Sequence, residues 1–198
     1  FSYTSKEAFL KGFNLKTDKT HIQTDLKLQY NSTASLAKEI GACKLDLNLK
    51  DSKLAISDLL MVVPDLQKQL AKQKDMVISA GGIVNGSISN LNISEFHASG
   101  VGKTALQLRG QIKGLPNLEK TYFQLPMLSL ATTSKDIQAI LPPKSIPTVI
   151  KLPASMRVKG SFNGTMNSFG TKLLATTSMG IIQLNGFMSL SQKTYDAK

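Results

Sequence analysis

Apolar and polar residues take turns along most of this chain. That period of two is the mark of extended strands, whose successive side chains leave opposite faces. In His21–Tyr30, Ile22, Leu26, Leu28 and Tyr30 share one side with Thr24, opposite His21, Gln23, Asp25, Lys27 and Gln29. In Cys43–Lys50, Cys43, Leu45, Leu47 and Leu49 oppose Lys44, Asp46, Asn48 and Lys50. Across Thr104–Lys113, Leu106, Leu108 and Ile112 oppose Gln107, Arg109, Gln111 and Lys113. Ala154–Asn167 reads as one long run with Ala154, Met156, Val158, Phe162 and Met166 on its apolar side, and Ile182, Leu184, Met188 and Leu190 repeat the pattern. Strands with one apolar and one wet face predict antiparallel sheet. Gly82, Gly86, Gly110, Gly160, Gly164 and Gly186 fall on the apolar register, where glycine weakens a strand but permits sharp bending.

Helix signals are few. Ser57-Asp58 can cap a short segment through Val63, and Pro64 can open a second from Asp65 to Lys72. Thr133-Ser134-Lys135-Asp136 reads as a capping box leading into Ile137–Leu141, which Pro142-Pro143 stop. These helices are too short to cover about ten strands. The expected fold is therefore mainly β: an elongated, curved antiparallel sheet with two or three short helices. Its apolar face must either close on itself, as the core of a sandwich or barrel, or be filled by something else. The pattern leaves both solutions open.

An internal repeat of about 75 residues underlies the alternation. Val84-Asn85-Gly86-Ser87-Ile88 recurs as Val158-Lys159-Gly160-Ser161-Phe162, and Leu106-Gln107-Leu108-Arg109-Gly110 recurs as Ile182-Gln183-Leu184-Asn185-Gly186. Leu54-Ala55 recurs as Leu130-Ala131, each just before a helix signal. The unit is four strands, a short helix and a proline. Copies fall at roughly 1–75, 76–150 and 151–198, the last cut short, within a single β-repeat segment spanning 1–198. Together with Phe1 in place of an initiator Met, this reads as a piece of a longer protein.

Composition narrows the chemistry. Lys and Arg number 24 against 13 Asp and Glu, a formal charge of +11. Nearly all the cations are lysines dispersed at alternate strand positions; Arg109 and Arg157 are the only arginines and Trp is absent. That describes a solvated sheet face rather than a nucleic-acid stripe, and remains compatible with weak attraction to anionic headgroups. Cys43 is the lone cysteine, and His21 and His97 are the only histidines, so no disulfide, metal cluster or histidine-centred triad is indicated, and no cofactor. The longest apolar run, Leu59-Leu60-Met61-Val62-Val63, is far short of the roughly 20 residues of a membrane span. Gly100-Val101-Gly102-Lys103-Thr104 imitates the end of a phosphate loop. His97, however, stands where that pattern needs glycine, and a strand rather than a helix follows. It reads as a turn between strands. No enzymatic constellation emerges. Four sequon matches, at Asn31, Asn85, Asn92 and Asn163, are explained by turn and strand-surface chemistry.

The Val-x-Gly-Ser and Gln-Leu-x-Gly strands, the Leu-Ala…Ser-Asp…Pro helix start, and Thr177-Ser178-Met179-Gly180-Ile181-Ile182-Gln183-Leu184-Asn185-Gly186 resemble the AsmA-like family, most closely its TamB type of translocation and assembly module. The resemblance spans about residues 20 to 190 and rests on soft β-repeat motifs. It implies a taco-shaped sheet with an apolar inner groove, in the periplasmic part of a bacterial envelope protein. It also implies phospholipid movement between the two membranes or help in outer-membrane protein assembly. An inner-membrane anchor and an outer-membrane barrel partner would both lie outside this stretch. The expected groove lining is Leu26, Leu28, Leu45, Leu47, Leu106, Leu108, Ile112, Met156, Val158, Phe162, Met166, Leu184 and Met188, with phospholipid acyl chains as the partner. The competing expectation is a structural β-repeat scaffold or adhesin stalk with a closed core and no ligand.

Overall fold

The computed structural model describes residues 1–62, 73–140, 151–189 and 194–197. The expected helix at Asp65–Lys72 and the Pro142-Pro143 stop lie outside them. Twelve antiparallel strands form one sheet in which spatial order equals chain order. They are β1 (Ser2–Tyr3), β2 (Glu7–Lys16), β3 (His21–Gln29), β4 (Lys44–Ala55), β5 (Val77–Ser87) and β6 (Asn90–Val101), followed by β7 (Thr104–Lys113), β8 (Tyr122–Thr133), β9 (Ser155–Gly164), β10 (Ser168–Thr177), β11 (Gly180–Ser189) and β12 (Thr194–Ala197). Among the described residues three short α-helices interrupt the meander: α1 (Thr33–Lys38), α2 (Ile56–Val62) and α3 (Ser134–Ile140). Four strands precede α2, four more precede α3, and four follow it.

The sheet is open and curved. Among the described residues each strand packs substantially only on its sheet neighbours, and α2 and α3 touch the ends of β4, β8 and β6. Among the described residues no second layer faces the sheet, and they do not build a sealed sandwich or barrel centre. Full burial is confined largely to the two rims where the chain turns. Thr20, Ala55, Ile56 and Thr132 are buried at the rim that carries α2 and α3; Tyr30, Cys43, Thr121 and Ser189 are buried at the opposite rim.

Curvature has a visible cause. In β2, β4, β6 and β8 two residues oppose one on the following strand, near mid-strand each time. Lys11-Gly12 lie opposite Asp25, Lys50-Asp51 opposite Gly81, Ser94-Glu95 opposite Arg109, and Pro126-Met127 opposite Ser161. A bulge bends its strand and raises the local twist. The bulges of β2, β6 and β8 lie at one level and that of β4 one row nearer the rim that carries α2, so bends on every second strand fall in one band and the sheet folds into a trough running across its strands. The bulge also accommodates Pro126, which an unbroken central strand would reject. The backbone N–H of Gly12 in the first bulge donates to Asp25 Oδ1 at 2.6 Å.

Glycine does the complementary work on the alternate strands. Gly110, with φ +143°, and Gly86, with φ +117°, hold conformations that side chains rarely adopt, and a Cβ on either would meet the carbonyl of Gln124 or Asn90. The neighbouring backbone approaches so closely there that only hydrogen fits.

Candidate functional site

Cross-strand partners lie on the same face, so the register converts isolated strands into continuous apolar rows. One row runs Ala8, Leu28, Leu45, Gly86, Leu91, Ile112, Phe123, Gly164, Phe169 and Met188. A second runs Leu10, Leu26, Leu47, Val84, Ile93 and Gly110, and resumes past the Pro126 bulge as Leu125 and Phe162. A third passes through Leu49, Gly82, Phe96, Leu108, Leu128, Gly160, Leu173 and Leu184. A fourth holds Ala80, Ala98, Leu106, Leu130, Val158, Ala175 and Ile182. Met156 stands between Thr132 and Thr177 near the helix rim. Adjacent strands sit about 4.8 Å apart, so the first row, which crosses ten strands, extends for about 43 Å.

Exposure identifies the concave side. Along β4, β7 and β9 the apolar positions are half-buried and the polar positions between them, apart from Gln111 and Ser161, are exposed. With no layer over either face among the described residues, curvature shields one face more than the other: side chains on the inside of the bend crowd their neighbours. The apolar rows therefore line the inside of the trough.

Polar groups that reach this face are satisfied by the sheet itself. Thr24 Oγ1 donates to the carbonyl of Asn48 at 3.1 Å, and Thr171 Oγ1 to that of Ser161 at 2.8 Å. Their methyl groups remain for contact. Phe162 stacks on Phe169 with ring centroids 4.8 Å apart and meets Phe123 edge-on at 6.2 Å. The three rings surround Gly164, which is buried among them. Towards β11 the shielding fades: Ile182 is 58% exposed and Met188 40%.

Two acids brace the helix rim. The Thr17 hydroxyl donates to Asp58 Oδ2 at 2.6 Å, joining α2 to the β2–β3 turn. The Asp136 carboxylate accepts the Lys103 amide at 3.0 Å and the Thr104 hydroxyl at 3.3 Å, joining α3 to the β6–β7 turn, while the Asp136 N–H donates to Thr133 Oγ1 at 3.2 Å. The hydroxyl of Thr17, then that of Thr20, hold Asp58 below its ordinary carboxylate range. Burial acts to raise Asp136, but the Thr133 hydroxyl, the Lys103 amide and the Thr104 hydroxyl outweigh it and leave its pKa lowered. Gly100–Thr104 is thus a strand-to-strand turn whose amide already faces a carboxylate. On the outer face His97 Nε2 meets Asp51 Oδ1 at 2.7 Å, passing over Gly81, where a side chain would collide with the imidazole.

Of the thirteen lining residues expected from the sequence, the register brings twelve onto the trough face. Met166 is the exception. β9 ends at Gly164, and Thr165 Oγ1 accepts the N–H groups of Asn167 and Ser168, turning the chain into β10. Met166 sits on that turn, 63% exposed. Alternation had carried through the turn by coincidence of composition. Reasoning from single strands missed Phe96, Leu128, Phe169 and Leu173, which complete the rows.

Comparison with family models, curated proteins and solved structures finds no match to this chain. Among the described residues no group of three or more His, Cys, Asp or Glu is placed to hold a metal ion. No helix there is long and apolar enough to cross a membrane.

Proposed function

We propose that this chain is a lipid-carrying β-trough, a periplasmic segment of a longer bacterial envelope protein whose inner face holds phospholipid acyl chains in transit between membranes. The observation that carries the reading is the unbroken apolar face across β2–β11, with no protein layer over it among the described residues. Exposed apolar patches on that scale are rare in monomeric proteins unless something binds them. An acyl chain is the matching guest: narrow, long, flexible and without polar atoms. Each buried methylene contributes about 0.8 kcal/mol, so a dozen contribute on the order of 10 kcal/mol before ordering costs.

The headgroup would project past a rim into water, so the trough selects for hydrocarbon over headgroup identity. Met156 and Met188 add an adaptable surface that accepts different chains. No bond is made or broken. The resemblance to the AsmA-like, TamB-type modules supplies the envelope location, the inner-membrane anchor and the outer-membrane barrel partner, both assigned to other parts of a longer protein. It also supplies the link to outer-membrane assembly.

A photo-crosslinking residue placed at Leu108 in the envelope-expressed protein should capture phospholipid, detected by mass spectrometry, while the same residue at Gln107 should not. Equal capture at both positions, or none at either, defeats the reading. Absence of lipid at Leu108 would return the chain to the scaffold class.

A further inference from the structure

The outer face of the sheet changes character at its C-terminal end. On β3, β4, β6 and β7 the outer face carries both acids and cations, Asp46 beside Lys27 and Glu95 one strand from Arg109, while β5 carries neither. β8, β9, β10 and β11 contain no Asp or Glu at all. On β9–β11 the outer rows instead interleave cations with large apolar groups. Arg157, Thr176 and Ile181 form one row, Lys159, Leu174 and Gln183 the next, and Ser161, Lys172 and Asn185 a third; Phe187 lies one row further on. Ile181 is 72% exposed, Leu174 and Phe187 47% each. The three cations are exposed and none has an acidic partner among the described residues. Between Lys159 and Lys172 lies a hollow of about 360 Å³ that Leu174, Gln183 and Asn185 help to line. The next acid along the chain, Asp196, stands in register with Phe187, towards the rim opposite Arg157.

We propose that this outer face of β9–β11 is a docking surface for an anionic phospholipid bilayer. Unpaired cations seek the phosphates, and exposed Leu174, Ile181 and Phe187 reach the headgroup–acyl boundary beneath them. The charge pattern selects this occupant over another protein strand. A strand added beside Gly180–Asn185 of β11, the part that β12 does not pair, would lie beside these side chains rather than over them, and would leave the cations without counter-charge. The proposal stands apart from the trough, which uses the opposite face of the same strands.

The test is sedimentation of the full chain with vesicles of phosphatidylcholine alone or with about one-third phosphatidylglycerol. Binding to the anionic vesicles only is expected. Each cation near an anionic surface is worth roughly fivefold, so Arg157→Gln/Lys159→Gln/Lys172→Gln should weaken it on the order of a hundredfold. Ile181→Ser/Phe187→Ser should weaken it as well. A charge-matched control, Lys44→Gln/Lys53→Gln/Lys113→Gln on β4 and β7, should stay within about threefold of the parent, ruling out mere net charge. Leu108→Asp should bind as the parent does, which separates docking from acyl-chain capture. The proposal falls if the two triple variants behave alike, or if neutral vesicles bind equally well. It also falls if Leu108→Asp alone abolishes binding, or if the face instead pairs two copies of the chain, seen as a dimer in sedimentation velocity that the first triple variant dissolves.

Discussion

Leu108 occupies the middle of the third apolar row, between Phe96 and Leu128, half-buried and with no protein layer above it among the described residues. Replacing it with Asp separates an open trough from a sealed core. In an empty trough the new carboxylate reaches water. The cost to folding is then part of one leucine's burial, about 1–2 kcal/mol. In a sealed core the same carboxylate would be stranded, at a cost of several kcal/mol that would unfold a domain of this size. For a bound acyl chain the arithmetic differs. One strand spacing of about 4.8 Å spans about four methylenes, and losing their contact forfeits about 3 kcal/mol, roughly a hundredfold in affinity. The assay pairs thermal unfolding by circular dichroism with displacement of a fluorescent fatty-acyl probe. A folded Leu108→Asp protein with strongly weakened probe binding is expected. An unfolded protein, or a folded one that binds the probe undiminished, would refute the reasoning.

Three further outcomes follow from the geometry. Gly110→Val should lower the melting temperature sharply, by at least about 2 kcal/mol of stability, because its Cβ would run into the Gln124 carbonyl at φ +143°; an unchanged melting curve would mean the close approach is not there. Phe162→Ala should cost about 2 kcal/mol in chemical denaturation, less than a fully buried ring, since Phe162 keeps Phe123 and Phe169 in contact but is itself half-buried. Asp136 has its pKa lowered from the ordinary 3.8, so its contribution is fully present above that value and is lost as pH falls through the lower folded-state value. Stability measured from about pH 5 downwards should therefore fall more steeply for the parent than for Asp136→Asn, and identical slopes would remove the acid from any bracing role.

The strands that alternate without interruption were legible before any coordinates: β7 falls on Thr104–Lys113, and β3 and β4 begin within a residue of the expected starts. The helix signal at Thr133–Asp136 coincides with α3, because a capping hydroxyl and an acid three residues on leave a local trace; a helix also forms at Ser57-Asp58, but it begins at Ile56, so Ser57 lies inside its first turn rather than capping it. β6 and β8 were harder. Ser94-Glu95 and Pro126-Met127 each shift the phase of alternation by one, which breaks a period-two reading at mid-strand. β10 hides for another reason: Leu173-Leu174-Ala175 is apolar on both faces. The trough itself could not be read from one strand at a time. A bulge is a relation between two strands, and its recurrence on every second strand from β2 to β8 is a relation among eight. Met166 shows the converse limit, since alternation continues through a turn when turn residues happen to match it.

Because spatial order equals chain order, the sheet can lengthen without rearrangement. A bulged strand and its glycine-bearing partner form a pair that enters and leaves at the same rim with its greasy side facing inward. Inserting or deleting one such pair would change the reach of the channel by about 10 Å while every other contact stays as it was. Reach is then an inheritable dial, set by how many hairpins a gene encodes, and the length of the trough can drift in evolution by duplication alone.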